Sequence, residues 1–518
     1  MTSKPQLRIE QAPEPGLWLR SSLYALIGLV TGAATLLWSL ANGRTLLYGD
    51  ATAHLAIARR IVDSATPGLS QWGTVWLPLP HLLMAPLVGF MPLWRDGLAG
   101  AVPALLALAT GTWLLHRVIK RAWGAGAAAW AAAFYCLNPS LLYLSAVPMT
   151  EAIYLAAYLG LVDQCGAYWA DGDRKHVWRA GVWGLAASLC RYDGWFVLPF
   201  ALGVMVLRRR GEWWPRAWRF CAVSGLGPGF WFAYNWFYFG DPLYFARGPY
   251  SAQALAGSTG YPGEHALGIA ALYYLKTVTL TVGVPLAILA LSGLLLWRRW
   301  RGQPVSWLLL LPLPWYLWAM WSGNVPIFLP QYWPHGFYNL RYGVQLLPAV
   351  ALFSGLMTAG LVGVARRVTL LHGRLAQGLA VGLAVLCGGG YAAMLRPPGP
   401  PAYAEAVHNA PARLAMEHAL AQALAGWHRG QRVLMYYGTY PGALADDGIP
   451  LHAVIQESNF RLWQHALAAP HAYVQWVVIE SGSPTERLVN WSDLRQYFIE
   501  AKVLHVPSQH GIEVYRRR

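Results

Sequence analysis

The chain has 518 residues, 56% of them hydrophobic and only 12% charged, with a formal net charge of +16. Soluble domains carry roughly a quarter of their residues as charges, so this balance excludes an ordinary soluble protein and points to a bilayer. The basic excess sits in short clusters between apolar runs, which is a topology signal, and it is not read as a nucleic-acid footprint.

The first apolar run, residues 21–41, is long enough to span a hydrocarbon core of about 30 Å. It exceeds the h-region of a signal peptide and reads as an uncleaved signal anchor. It opens into a loop, residues 42–96, that begins "LYGDATAHLAIARRIVDS". Leu55, Ile57, Ala58, Ile61 and Val62 make this an amphipathic helix carrying Asp50, His54, Arg59, Arg60 and Asp63. Asp50 serves either as a helix cap or as a general base towards a hydroxyl acceptor, and the second reading is preferred. Arg59 and Arg60 serve either lipid headgroups or a site. Prolines 78, 80, 86 and 92 then argue for a re-entrant or interfacial segment over residues 71–94. Within it, His81 has three readings: a phosphate contact, a hydrogen-bond donor, or a satisfied interfacial polar group.

Further spans are expected at residues 97–116, 123–145, 149–163, 177–190, 194–207, 217–239, 271–297, 305–322, 342–365 and 375–394, about eleven in all with the first. The clusters "HRVIKR", "DRKHVWR", "RRRGEWWPR", "WRRWR" and "ARRVTLLHGR" then share the side of the N-terminus, which makes that side cytoplasmic. Residues 42–96, 240–270, 323–341 and everything after about 395 fall outside. Positive charge is depleted there, so Arg59, Arg60, Arg95, Arg191, Arg247 and Arg341 call for another reason. Arg191 stands in "CRYDGW" with Tyr192 and Asp193, where a local ion pair competes with a site. Arg341 stands in "YNLRYG" with Tyr338, Asn339 and Tyr342, where an interfacial aromatic belt competes. Glu151 follows "VPMT" at a span entry, and a first-turn helix acid is the alternative to a second catalytic carboxylate. Cys136, Cys165, Cys190, Cys221 and Cys387 lie in or beside apolar runs with no CxxC pair and read as small core hydrophobes.

The proline cluster "RPPGPPAY" marks the boundary between a membrane domain, residues 1–395, and a tail, residues 396–518. Strands are expected at 432–438 and 472–480, with a third at 511–518, separated by helical stretches. The tail is therefore a small α/β domain outside the membrane. Its "YYGTYPG" and "ADDG" segments read as surface turns.

At these residues the chain resembles the GT-C superfamily of membrane glycosyltransferases, in the branch of bacterial relatives of protein O-mannosyltransferases and lipid A aminoarabinose transferases. The matching segments are "YGDATAHLAIARR", "WLPLPHLLMAPL", "PMTEAIY", "CRYDGW" and "NLRYGVQLLPA", which with the order of spans cover about the first 365 residues. The resemblance implies a polytopic helical fold that moves a sugar from a polyprenyl-phosphate donor to a lipid, glycan or protein acceptor outside the cytoplasm, with inversion. It makes Asp50 the general base and Glu151 a second acid. Arg341, Arg191, His81 and Arg59 are then candidates for the donor phosphate, and His54, Tyr192, Asp193, Tyr338, Asn339 and Tyr342 for sugar or acceptor. Asp50 is followed by Ala51 where protein O-mannosyltransferases pair Asp with Glu, which weighs against a protein acceptor. His81 stands where aminoarabinose transferases carry lysine. No metal or cofactor is expected beyond the lipid-linked substrate, and the expected location is a bacterial plasma membrane. The competing readings are a transporter or lipid flippase, and a non-catalytic partner in envelope-polysaccharide assembly.

Overall fold

A computed structural model describes residues 17–208, 213–251, 254, 260–296, 303–368 and 372–518. Arg209, Arg210, Arg298, Arg299 and Arg301 of the basic clusters lie outside the described residues. The chain is mostly helical, with a small sheet near its C-terminus.

Four helices are long and apolar enough to cross a membrane: Ser21–Ala41, Leu98–Trp123, Leu340–Arg366 and Arg374–Met394. Leu267–Val282 and Val284–Leu295 together qualify as a fifth, bent by 115° at Gly283, whose φ is +82°. The chain is a multi-pass membrane protein. Several runs expected as single spans are broken instead. Residues 123–145 divide into Ala125–Cys136 and Pro139–Leu144, where the Asn138 side chain caps the second piece by accepting from Leu141 N. Residues 305–322 divide at Pro312, and 217–239 at Gly225. Hydropathy registers the apolar content of these runs but not their breaks. The short span expected at 149–163 is in fact the 21-residue helix Glu151–Asp171, about 30 Å long.

Close helix contacts rest on small residues. A Cβ on Gly355 would lie 2.7 Å from the Ala127 carbonyl oxygen, so the span Leu340–Arg366 meets Ala125–Cys136 almost backbone to backbone. At one end of this bundle Arg117 and Arg121 flank buried Asp163 at 3.5 and 3.0 Å.

The other end carries the first loop and the tail. The amphipathic helix Gly49–Val62 packs on Leu79–Val88, a ten-residue helix too short to cross. Leu82, Leu83 and Phe90 face outward while His81, Met84 and Val88 are buried, as an interfacial segment requires. From Pro401 a helix runs to Leu424. Its first half buries Ala402, Ala406 and Ala410 in the core of the helical bundle, and its second half buries Met416, Leu420 and Leu424 against the sheet. The sheet comprises β1 (Val433–Met435), β2 (Val454–Ile455), β3 (Trp476–Glu480), β4 (Phe498–Leu504) and β5 (Ile512–Arg517), in the order β2-β1-β3-β5-β4. Its left half is parallel and its right half antiparallel.

Leu55, Ala58, Met84, Val88 and Trp94 of the first loop share one hydrophobic core with Val433, Met435, Val478 and Val514 of the sheet. A polar network reinforces this seam. Asp63 accepts from Arg59 Nε at 2.7 Å and lies 2.6 Å from His452 Nδ1. Ser458 Oγ donates to Gln71 Oε1 at 2.7 Å, and Asn459 Nδ2 donates to Ser64 and Thr66. Burial alone would raise the Asp63 pKa, but hydrogen bonds from His452 and Arg59 outweigh it and hold the carboxyl below its usual value. The stability it contributes is therefore full above its unfolded pKa of about 4 and is lost as pH falls through the lower folded value. Asp63→Ala should cost about 1–3 kcal/mol at neutral pH. Limited proteolysis of the tail in the wild type should accelerate in acid and, at neutral pH, in the variant; equal cleavage rates of the two proteins at neutral pH would contradict this role.

Candidate functional site

The most concentrated set of buried charge at the tail end centres on Arg341. This residue is the second of the short helical segment Leu340–Leu346 that precedes the helix Leu347–Val368, two residues after Asn339, whose φ of +59° reverses the chain. The turn is fixed from the tail: Glu405 accepts from the backbone N–H of Asn339 at 2.9 Å and of Arg341 at 3.3 Å. Burial pushes the Glu405 carboxyl upward, opposed by Arg341 and these two backbone bonds.

The Arg341 guanidinium bridges two acids. Nη2 lies 2.5 Å from Asp50 Oδ2, and Nε lies 3.4 Å from Glu151 Oε1. Asp50 is in the first turn of Gly49–Val62, and Glu151 opens Glu151–Asp171. Neither helix has a side-chain cap bond at its N-cap, but both acids stand in the first turn of their helices, so the helix-start reading is met beside these ion pairs. Arg191 Nη1 approaches the same Glu151 oxygen at 3.6 Å, and its Nε bonds Asp193 at 3.2 Å. Thr150 and Tyr316 accept from Arg191, and the Tyr316 hydroxyl donates to Asp193. Tyr342 is packed between the cations, 5.0 Å from Arg191 and 5.2 Å from Arg341. Tyr48 covers Arg341 from the other side at 5.2 Å and is anchored by its hydroxyl to Ala402 O.

Exposure separates the acids. The side chains of Glu151 and Asp193 are 1% and 6% exposed, whereas that of Asp50 is 37% exposed. Asp50 is thus the carboxylate of this cluster that an incoming molecule meets first, and Tyr338, itself exposed, stands close to it. Buried ion pairs of this kind are poor stabilisers, and charge gathered at a span end is a functional candidate.

Other expected site residues are placed differently. Arg59 is walled in: it pairs with Asp63, donates to Val88 O at 2.8 Å and lies over Trp94. An expected phosphate ligand is therefore a brace between the loop helices. Tyr192 donates to Val75 O and accepts from Trp231 Nε1, which makes it part of an aromatic wall. Asn339 shapes its turn, with its side chain on Pro326 O. His54 and His81 are buried and joined, Nδ1 to Nε2, at 3.0 Å, with the His54 ring against Trp76. This bond takes up one ring nitrogen of His81. Tyr48, Thr150, Tyr316 and Glu405 were not singled out from the sequence. Glu405 lies 64 residues from its backbone partner in an alanine-rich helix, and nothing local signals it.

A cavity of about 620 Å³ lies apart from this cluster, lined among others by Met91, Trp427, Arg429, Arg432 and His452. Among the described residues no group of three or more His, Cys, Asp or Glu side chains is placed to hold a metal ion.

Burial, followed by the charges of Arg341 and Arg191, pushes His54 down from its ordinary value to about 3. Its unfolded imidazole takes a proton near pH 6.5, so the stability tied to neutral His54 is complete above that pH and drains away as pH falls towards 3. Thermal unfolding of the detergent-solubilised protein should show Tm falling between pH 7.5 and 5.5, with a shallower fall in His54→Gln; identical slopes would contradict the placement.

No family model and no curated protein matches the sequence. Solved structures do match. The crystal structure of ArnT from Cupriavidus metallidurans bound to undecaprenyl phosphate superposes with a TM-score of 0.57 at 14% identity, covering 96% of this chain and 98% of that one. Its apo state gives 0.55 at 15% identity, with 95% and 97% covered. The Archaeoglobus fulgidus oligosaccharyltransferase in its apo form gives 0.54 at 11% identity, with 90% and 70% covered. Both proteins are GT-C superfamily members, and over nearly its whole length this chain has their fold.

Proposed function

We propose that the chain is an integral-membrane glycosyltransferase that moves a sugar from a polyprenyl-phosphate donor to an acceptor outside the cytoplasm, with inversion, at the Asp50–Arg341–Glu151–Arg191 cluster. The observation that carries this reading is the geometry of Asp50: a half-exposed carboxylate aimed by a buried arginine at the end of the bundle that bears the tail. Fold likeness to an ArnT structure bound to undecaprenyl phosphate supports the donor class.

In the reaction, Asp50 accepts the proton of the acceptor hydroxyl as that oxygen bonds to the anomeric carbon. The bond from that carbon to the phosphate oxygen breaks, and its electron pair stays on the phosphate. Arg341 holds and orients Asp50, Arg191 supplies positive charge where this negative charge develops, and buried Glu151 keeps both guanidinium groups in register. Tyr338 and Tyr342 offer ring faces and hydroxyls to the sugar. The scheme calls for no metal and no cofactor. The acceptor is a lipid, a glycan or a protein, the surrounding partners are membrane lipids, and nucleic acid has no part. The N-terminus lies in the cytoplasm and the tail outside, in the plasma membrane of a bacterium.

The test is transfer of radiolabel from polyprenyl-phosphate sugars, supplied one at a time with membrane extract as acceptor, by the wild type and Asp50→Asn. Loss of a general base should lower turnover by about 100-fold or more while donor binding persists. Equal transfer by both proteins would remove Asp50 from the chemistry; movement of lipid or solute across liposomes without any transfer would replace the enzyme reading with transport.

A further inference from the structure

The cavity beside the first loop has no part in the chemistry above, yet its volume of about 620 Å³ is that of a ligand pocket, roughly 300–1,000 Å³. It lies between Met91 of the first loop and two turns of the tail, one contributing Trp427, Arg429, Gln431 and Arg432, the other His452. Among the described residues no acidic side chain lines it.

The turn that carries the arginines is braced from within the tail. Gln431 Oε1 accepts from the backbone N–H of His428 at 3.0 Å and from Trp476 Nε1 at 2.9 Å, while Trp427 Nε1 donates to Gln431 O at 3.1 Å. The backbone N–H of Arg432 donates to Gln475 Oε1 at 2.8 Å, and Gly430, at φ +96°, turns the chain between the two arginines. All of these bonds use backbone or neutral side chains. Arg429 and Arg432 are exposed, and among the described residues neither guanidinium has an ion pair or a hydrogen bond. Asp63, which borders the cavity through His452, is already engaged by Arg59. Two unpaired guanidinium groups on a braced turn at a concave surface focus positive potential there, and their forked donors suit a phosphate.

The opposite wall indicates which phosphate. Met91 directly follows Phe90, which is 63% exposed and ends the segment whose Leu82 and Leu83 also face outward while His81, Met84 and Val88 are buried. A segment of this kind lies in the membrane surface, so an apolar border adjoins the cationic wall. Half-buried Trp427 adds a ring of the type enriched at membrane interfaces. A free phosphate makes no use of that border, whereas a phospholipid fits both parts.

We propose that this cavity takes the phosphate head group of an anionic bilayer phospholipid, with the acyl chains towards Phe90, and so fastens the tail to the membrane surface. The proposal requires only that the chain sits in a bilayer, and it is independent of the transferase reading and of the Asp50 cluster.

The full chain is purified in detergent, and binding of dioctanoyl phosphatidylglycerol, dioctanoyl phosphatidylcholine, inorganic phosphate and undecaprenyl phosphate is measured by calorimetry. Wild type is compared with Arg429→Gln/Arg432→Gln and with Arg461→Gln/Lys502→Gln, which removes the same charge from tail positions that do not line the cavity. All four positions are exposed, so both variants keep the core intact. The wild type should prefer phosphatidylglycerol to phosphatidylcholine by about tenfold or more. The first variant should lose that preference, the second should keep it, and undecaprenyl phosphate should bind all three proteins alike. Equal affinity of the wild type for the two phospholipids would overturn the site, as would a preference that survives in the first variant or falls equally in both. Inorganic phosphate bound as tightly as phosphatidylglycerol would make this a free-phosphate site, and loss of undecaprenyl phosphate binding in the first variant would give the cavity to the carrier; either result overturns the phospholipid.

Discussion

The arrangement depends on one buried guanidinium. Arg341 meets Asp50 from the first loop and Glu151 from the core of the bundle, while the backbone of its turn is gripped by Glu405 from the tail helix. Burying such a group is unfavourable unless every partner stays in place, and removing one partner leaves the others uncompensated. Three segments far apart in sequence are thereby obliged to keep a fixed geometry. That obligation positions Asp50: its carboxylate is exposed to an incoming substrate, yet its direction is set from within the protein.

The tail takes part in this geometry. Its first helix is half in the core of the helical bundle and half in the core of the sheet, and the seam with the first loop combines shared apolar burial with the bonds of Asp63, Gln71 and Asn459. Under the proposed transferase reading this seam suits an acceptor that approaches from the tail side, because reacting groups held in place remove much of the entropic cost of the encounter. Arg59 shows how the seam uses charge: it holds two loop helices and, through Asp63, the tail together.

Much of this was legible in the sequence, for identifiable reasons. Asp50, Glu151, Arg191 and Arg341 stood out because charge at the ends of apolar runs is rare, and all four meet in one cluster. The strands at 433–435 and 476–480 stood out because they are buried in β-rich runs, and that at 512–517 because it alternates, with Ile512 and Val514 buried. β4 did not: as an exposed edge strand with a register shift between Glu500 and Lys502, it has no alternation to read. Neighbouring arginines could not be told apart either, since burial partners such as Val88 O and Trp94 lie about thirty residues away. The helix breaks inside apolar runs escaped for a related reason: a bundle interior can satisfy interrupted backbone where lipid cannot, and hydropathy does not distinguish the two.

The measurement that bears most directly on the central claim is the structure of the protein with a polyprenyl-phosphate sugar whose transfer is blocked by a non-cleavable linkage. The account predicts the anomeric carbon facing Asp50, with the carboxylate still held by Arg341 and close enough to reach a hydroxyl placed on the opposite side of the sugar from the phosphate. A sugar bound elsewhere in the chain, with the Asp50–Arg341–Glu151 cluster closed and out of its reach, would contradict it.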